Sequence, residues 1–315
     1  MALLIACSSR AEQFAAEVLG LEPELEIRIA PDLGNVHDID TALVWQPPGG
    51  LLRMLPGLKL IVSVGAGVDW LLADPTLPYV PLVRFVDPDL TGRMAEYVVL
   101  NVLHHHRRMT EYREMQTLGM WKYLPEPAAQ DLRVGLMGLG VLGAASAQAL
   151  RLFGYQVRGW SRTAKSLDGV ACFHGSTQLE PFLADTDILV VLLPLTSDTR
   201  GILNRALFRG LSLRGRSPLL PGPVLINAGR GGLQIDADII AALRAGQLYA
   251  ASLDVFETEP LPADSPFWSH PRVVITPHNA AESAPAAIAS YALRQMQAQR
   301  QGLRLENLVH RARGY

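Results

Sequence analysis

The segment Gly138-Leu139-Gly140-Val141-Leu142-Gly143 constrains the fold more than any other part of the chain. It follows an apolar run at residues 134–137 that reads as a strand, and it opens a helical pattern over residues 141–153. A GxGxxG alone is a weak signal, but between a strand and a helix it is a strong one. Its first glycine permits a tight turn, its second lets the backbone approach a pyrophosphate, and its third lets helix and strand pack closely. The helix N-terminus then presents unpaired N–H groups and a partial positive charge to that anion. Gly138, Gly140, Val141, Leu142 and Gly143 are therefore candidate dinucleotide contacts.

Around this motif, short apolar runs alternate with helical patterns along nearly the whole chain. Strands are expected at residues 2–6, 25–29, 41–45 and 60–64, and again at 134–137, 155–160, 188–193, 224–227, 250–255 and 273–276. Helices are expected at 11–19, 141–153, 237–244 and 283–300. Repeated βαβ alternation means a mostly parallel sheet with helices on both faces. Residues 93–118 contain no Gly and no Pro, with Ala95, Val98, Val99, Val102 and Leu103 at helical spacing, so one long helix is expected there. The Gly- and Pro-rich residues 210–223 read as a surface loop. At 315 residues the chain suits two domains of ordinary size.

Composition excludes several classes of function. The hydrophobic share of 49% with 18% charged residues fits a globular protein. A net charge of −2 argues against a nucleic-acid partner, which needs a concentrated Lys/Arg surface. Cys7 and Cys172 form neither a CxxC pair nor a disulfide framework, which points to a reducing cytoplasm. The apolar stretch before Cys7 is too short for a signal segment, and no apolar run is long enough to span a bilayer. The consecutive His104, His105 and His106 point in different directions on a helix and make a poor metal site, so no metal is expected. Ser8-Ser9 lacks the context of a nucleophile elbow.

The remaining chemistry lies at later strand ends. An NAD site places an acidic residue about 20 residues after the glycines; here the place belongs to Ser161, followed by Arg162 and, within the same turn, Lys165. A hydroxyl and two cations suit a 2′-phosphate, so NADP(H) is expected over NAD(H). Three further strand ends carry Asn227-Ala228-Gly229-Arg230-Gly231-Gly232, Asp254-Val255-Phe256-Glu257-Thr258-Glu259 and Thr276-Pro277-His278-Asn279. They deliver an Arg, a Glu and a His to one side of the sheet. A His that protonates a carbonyl needs a carboxylate to keep it charged, and the residues leave Glu257 and Glu259 both open for that part.

These segments, with Leu253 to Pro262 and Ile275-Thr276-Pro277-His278, resemble the signatures of the D-isomer-specific 2-hydroxyacid dehydrogenase family, in the family's order and over most of the chain. Within it the sequence is most similar to the glyoxylate/hydroxypyruvate reductase A group, on Val44-Trp45-Gln46-Pro47-Pro48, Gly65-Ala66-Gly67-Val68-Asp69, Trp160-Ser161-Arg162 and the terminal Arg311-Ala312-Arg313-Gly314-Tyr315. The resemblance implies two α/β domains, Rossmann-like and flavodoxin-like, each a doubly wound parallel sheet. The substrate domain is discontinuous, residues 1–92 plus 284–315, and the nucleotide-binding domain is residues 93–283. It implies Arg230 as substrate anchor, His278 as acid/base, Glu259 as its partner, and Asp254 near the nicotinamide. Gly65, Ala66 and Gly67 would offer N–H groups to the substrate carboxylate, and Trp45 would wall the pocket. The expected activity is NADPH-dependent reduction of glyoxylate or hydroxypyruvate to glycolate or glycerate by a homodimer, with another dehydrogenase of the family, or a nicotinamide-sensing binding protein, as alternatives.

Overall fold

The computed structural model describes residues 1–7 and 10–311; Ser8, Ser9 and the terminal Ala312, Arg313, Gly314 and Tyr315 lie outside the described residues. The chain divides into two compact units, Met1–Leu90 with Glu282–Tyr315, and Thr91–Ala281. Each junction falls two residues before the expected one, at Leu90 against 92 and Ala281 against 283.

Among the described residues the first unit holds five strands: β1 (Ala2–Cys7), β2 (Glu26–Ile29), β3 (Ile39–Trp45), β4 (Leu60–Ser63) and β5 (Leu82–Arg84). They form one parallel sheet in the order β2-β1-β3-β4-β5. Because side chains alternate along a strand, Leu3 and Ile5 of β1 face one core, with Leu43 and Val62, while Leu4 and Ala6 face the other, with Val44 and Ile61. Burial of both faces explains the continuous apolar runs. Helix Ala11–Leu21 packs on the first of these faces through Phe14 and Val18. The helix Pro285–Arg300 returns to the same face through Ile288, Tyr291, Ala292 and Met296. The short β5, set between proline-rich turns, was not expected from the sequence. Asn307 and Val309 brace it: Arg84 N–H donates to Asn307 O and Val309 N–H to Leu82 O.

The second unit holds β6 (Arg133–Met137), β7 (Gln156–Ser161), β8 (Ala171–His174), β9 (Ile188–Val191), β10 (Val224–Asn227), β11 (Ala250–Leu253) and β12 (Val273–Ile275). All pair in parallel, in the order β12-β11-β10-β9-β6-β7-β8. Two cores again divide the faces: Leu189 and Val191 belong to one, Ile188 and Val190 to the other.

One expectation fails here. The single helix over residues 93–118 is two helices, Pro88–His106 and Met109–Thr117. The first starts early because Asp87 accepts the Leu90 N–H at 2.7 Å and Pro88 takes the first helical position. It ends because Arg108 adopts a left-handed conformation, φ 56°, which breaks the 3.6-residue ladder without Gly or Pro. Arg108 Nε then donates to Glu111 across the break, at 3.0 Å. The loop 210–223 has no regular element, but it is partly buried: Ser212 donates to Asp187 at 2.6 Å, and Arg133 donates to the Arg214 carbonyl. Both contacts lie at the amino ends of β6 and β9, away from the strand ends that carry the candidate site.

Among the described residues no helix is long and apolar enough to cross a membrane, and no cluster of His, Cys, Asp and Glu could hold a metal. The three histidines go separate ways. His104 meets Thr110, His105 meets Ser252, and His106 bonds Tyr155 and the Pro127 carbonyl.

Candidate active site

In a doubly wound sheet ligands lie outside the carboxyl ends of the strands, where the strand order reverses. In the second unit that place is the end of β6. Gly138 has φ 107°, and a Cβ there would lie 2.7 Å from Leu192 O. A Cβ on Gly143 would meet Gly138 O at 1.9 Å, so only glycine lets the helix Val141–Leu152 start so close to the strand. In front of Gly140, by contrast, a Cβ would meet nothing within 4 Å. No side chain caps this helix among the described residues. The result is an open turn with backbone N–H groups at a helix start, which fits a dinucleotide pyrophosphate.

At the end of β7, Ser161 is buried and its hydroxyl donates to Thr163 O at 2.8 Å. That proton is therefore used locally, and Ser161 contributes chiefly by not being a carboxylate. Arg162 and Lys165 follow on exposed chain.

The end of β10 carries Arg230 on a turn built by its neighbours. Asn227, fully buried, accepts the Gly229 N–H at 3.1 Å and donates to the Arg230 carbonyl at 3.4 Å and to Gln234 at 2.8 Å. Gln234 passes the chain on to Asp236. Gly231 is needed because a Cβ there would lie 1.7 Å from Phe256 O. The Arg230 guanidinium also donates to Gly229 O at 2.7 Å. Sequence reasoning found Arg230 but not Asn227 and Gln234, whose polar side chains inside a strand-end motif were the available signal.

The ends of β11 and β12 meet. Glu259 Oε2 lies 2.7 Å from His278 Nδ1, and Glu259 Oε1 accepts the Phe256 N–H at 2.9 Å. Glu257 points elsewhere and accepts the Asp236 N–H at 2.6 Å. Partial burial pushes the Glu259 carboxyl up. The bond to His278, the Phe256 N–H and the charges of His278 and Arg230 outweigh it and leave the group below its ordinary range. An ionised carboxylate only accepts, so His278 Nδ1 carries a proton and Nε2 remains as the nitrogen that can exchange one. His278 itself has φ 53°, a left-handed conformation uncommon for a non-glycine residue. Asp254 is buried, and its carboxylate accepts from the Thr276 hydroxyl and from the Asn279 and Ala280 N–H groups. It thus holds the loop that carries His278.

In the first unit, Trp45 ends β3 and packs edge-on to Trp70, ring centroids 5.6 Å apart. A Cβ on Gly65 would lie 2.5 Å from the Trp45 ring, so the turn after β4 and this indole are in direct contact. Gly65 N–H is turned toward Ser63 Oγ at 3.4 Å, while Arg84 donates to Ala66 O at 3.0 Å. The Gly65 N–H thus has a partner within its own turn. Ser63 and Arg84 were missed by sequence reasoning. The structure thus brings Arg230, Glu259, His278 and Asp254 together in one unit and Trp45 with Gly65 in the other.

Residues 99–280 match the family model for "D-isomer specific 2-hydroxyacid dehydrogenase, NAD binding domain". Over 288 residues, 90% of each chain, the sequence is 43% identical to a glyoxylate/hydroxypyruvate reductase A of Yersinia enterocolitica. Among solved structures it is similar to an NADPH-dependent glyoxylate/hydroxypyruvate reductase of Sinorhizobium meliloti in complex with NADP and sulfate, with TM-score 0.93, 43% identity and 99% of each chain covered. A D-isomer specific 2-hydroxyacid dehydrogenase of Xanthobacter autotrophicus in complex with NADPH and MES gives TM-score 0.92 at 40% identity, over 100% of this chain and 99% of that one. The chain belongs to the D-isomer specific 2-hydroxyacid dehydrogenase family and is an NAD(P)-dependent oxidoreductase.

Proposed function

We propose that the protein reduces glyoxylate and hydroxypyruvate to glycolate and glycerate with NADPH. The observation that carries this reading is the His278 Nδ1–Glu259 pair at 2.7 Å, on a strand end near that of Arg230, in a chain whose relatives include glyoxylate/hydroxypyruvate reductases. When bound, NADPH supplies the hydride for the carbonyl carbon. His278 Nε2 gives a proton to the carbonyl oxygen, and Glu259 stabilises the charged imidazole beforehand. Arg230 holds the carbonyl and carboxylate oxygens, a task suited to the planar fork of a guanidinium. We assign the second unit to nucleotide binding. The Gly138–Gly143 turn takes the pyrophosphate, and Arg162 and Lys165 take the 2′-phosphate. We assign the first unit to substrate, with Ala66 and Gly67 offering N–H groups and Trp45 an apolar wall. A homodimer working in the cytoplasm is part of the same proposal. The resemblance, two unpaired cysteines and the exposed Leu118, Met120, Trp121 and Tyr123 support it.

The test compares kcat/KM for NADPH and NADH with glyoxylate, hydroxypyruvate, pyruvate and phenylpyruvate. NADPH is expected to be preferred by about 100-fold, from two partly solvated charge-assisted contacts. The Arg162→Ala, Lys165→Ala double variant should narrow that ratio. A wild-type preference for NADH, or equal losses with both cofactors, defeats the cofactor assignment. A preference for phenylpyruvate over glyoxylate moves the protein to another substrate group of the family.

A further inference from the structure

His278 stands in a backbone conformation that an L-residue seldom adopts, φ 53°, so something must hold it there. Its N–H is shared between Asp254 O, at 2.8 Å, and Thr276 O, at 3.0 Å. Beyond it, the Asp254 carboxylate gathers the Asn279 and Ala280 N–H groups and the Thr276 hydroxyl, the last at 2.7 Å. Thr276 Oγ1 also lies 2.8 Å from the hydroxyl of Tyr97, in the helix Pro88–His106 and 179 residues away in sequence.

The direction of this chain is fixed by counting protons. An ionised carboxylate can only accept, so the single Thr276 proton goes to Asp254. Thr276 Oγ1 is then the acceptor toward Tyr97, and Tyr97 must donate. Burial, with Asp254 nearby, pushes the Tyr97 phenol up to about 12 despite its bond to Thr276, so it keeps its proton throughout the working range. The protons therefore converge on one carboxylate: Tyr97 O–H donates to Thr276, Thr276 O–H donates to Asp254, and the Asn279 and Ala280 N–H groups, which follow His278 in the chain, donate to the same Asp254.

We propose that Thr276 and Tyr97 are positioning residues for His278: through Asp254 they fix the loop that aims His278 at the reacting carbonyl. The inference rests on the reading of His278 as the proton donor. Neither hydroxyl touches substrate or cofactor in this proposal. Their part is to keep the Asp254 carboxylate from turning away from the Asn279 and Ala280 N–H groups and releasing the loop. Loss of aim by a fraction of an ångström is costly, because proton transfer needs the donor at hydrogen-bond distance.

The experiment measures glyoxylate reduction by the NADPH holoenzyme across pH for Thr276→Val, Thr276→Ser and Tyr97→Phe, beside His278→Ala. Thr276→Val keeps the shape and removes the hydroxyl; it should lower kcat by about 10- to 100-fold, with the KM for NADPH little changed. Its alkaline limb should move toward acid, because a loosened His278 couples less well to Glu259. Thr276→Ser, which restores the donor, should recover most of the loss. Tyr97→Phe, a nearly isosteric change, should cost about 3- to 10-fold in kcat. A purely structural pair would lower the melting temperature and leave kcat and the alkaline limb unmoved, or would leave Ser and Val equivalent at 276; either result overturns the proposal. If His278→Ala turns over like the wild type, the proposed function fails first. If that variant is inactive while Thr276→Val and Tyr97→Phe match the wild type, only the positioning chain fails.

Discussion

The two units use the same sheet physics for different work. Both are fully parallel, and both reverse strand order once, between β1 and β3 in the first and between β6 and β9 in the second. What differs is the load on the strand ends. The second unit carries a glycine turn in which two of the glycines admit no Cβ, followed by charged side chains locked into hydrogen-bond chains. The first carries an indole against a glycine, and a turn whose main chain is steered by Ser63 and Arg84. In the proposed function one unit would work through side chains that gain or lose protons, and the other through shape and main-chain donors. A fold of this kind fixes where a ligand goes, and the residues at the strand ends decide what happens to it.

The contrast can be broken by substitution, and the largest effect belongs to the second unit. His278→Ala should lower kcat about 100- to 10,000-fold while NADPH affinity stays close to the wild-type value. A near-normal kcat would remove His278 from the chemistry. Arg230→Lys should raise the KM for glyoxylate by about 10- to 100-fold and also lower kcat, since a point-charge ammonium cannot copy a bidentate guanidinium. An unchanged KM would mean that the guanidinium does not meet substrate. Gly65→Ala probes the first unit. Its methyl would lie 2.5 Å from the Trp45 ring, so the indole or the turn must shift. The expected outcome is a KM raised about 10-fold with kcat largely kept. A fall in kcat as steep as that of His278→Ala would erase the distinction between the two units.

The smallest effect is a displacement on the pH axis. Glu259 is held below the ordinary carboxylate range and so is an anion wherever the enzyme works. In the proposed function that charge faces the His278 ring, which would give up a proton during reduction. Glu259→Gln removes that charge, so on the proposed reading the alkaline limb of the reduction profile should move toward acid. Glu257→Gln should leave the limb in place, because Glu257 serves the Asp236 N–H. A shift in the second variant rather than the first would exchange the parts of the two glutamates.

The features read correctly from sequence are those whose causes are local. The Gly138–Gly143 turn is set by backbone sterics within six residues, and the strands by unbroken apolar runs. The break at Arg108 was not legible, because no residue there forbids a helix; the left-handed turn rests on Arg108 reaching Glu111 and on the fixing of His106 by Tyr155 and Pro127, partners chosen by the tertiary fold. Strand β8 went unread because Ala171–His174 is an edge strand with no buried residue, which leaves little apolar signal. In the site, Arg230 and His278 were visible from their motifs. Tyr97, Ser63 and Arg84 were not, since hydroxyls and cations bonded across long sequence separations look like any others in the chain.

The return of the helix Pro285–Arg300 to the first unit has a consequence for synthesis. All seven strands of the second unit lie in one uninterrupted stretch, so their sheet can close as soon as Val273–Ile275 has been made. The first unit is begun earlier and finished later. Until the final helix arrives, the sheet face bearing Leu3, Ile5, Leu43 and Val62 lacks its cover of Ile288, Tyr291 and Met296. At about 5–20 residues per second, that face waits for the whole second unit to be translated. The growing chain thus holds a finished middle and an open beginning, and its risk of self-association is concentrated in the unit that was translated first.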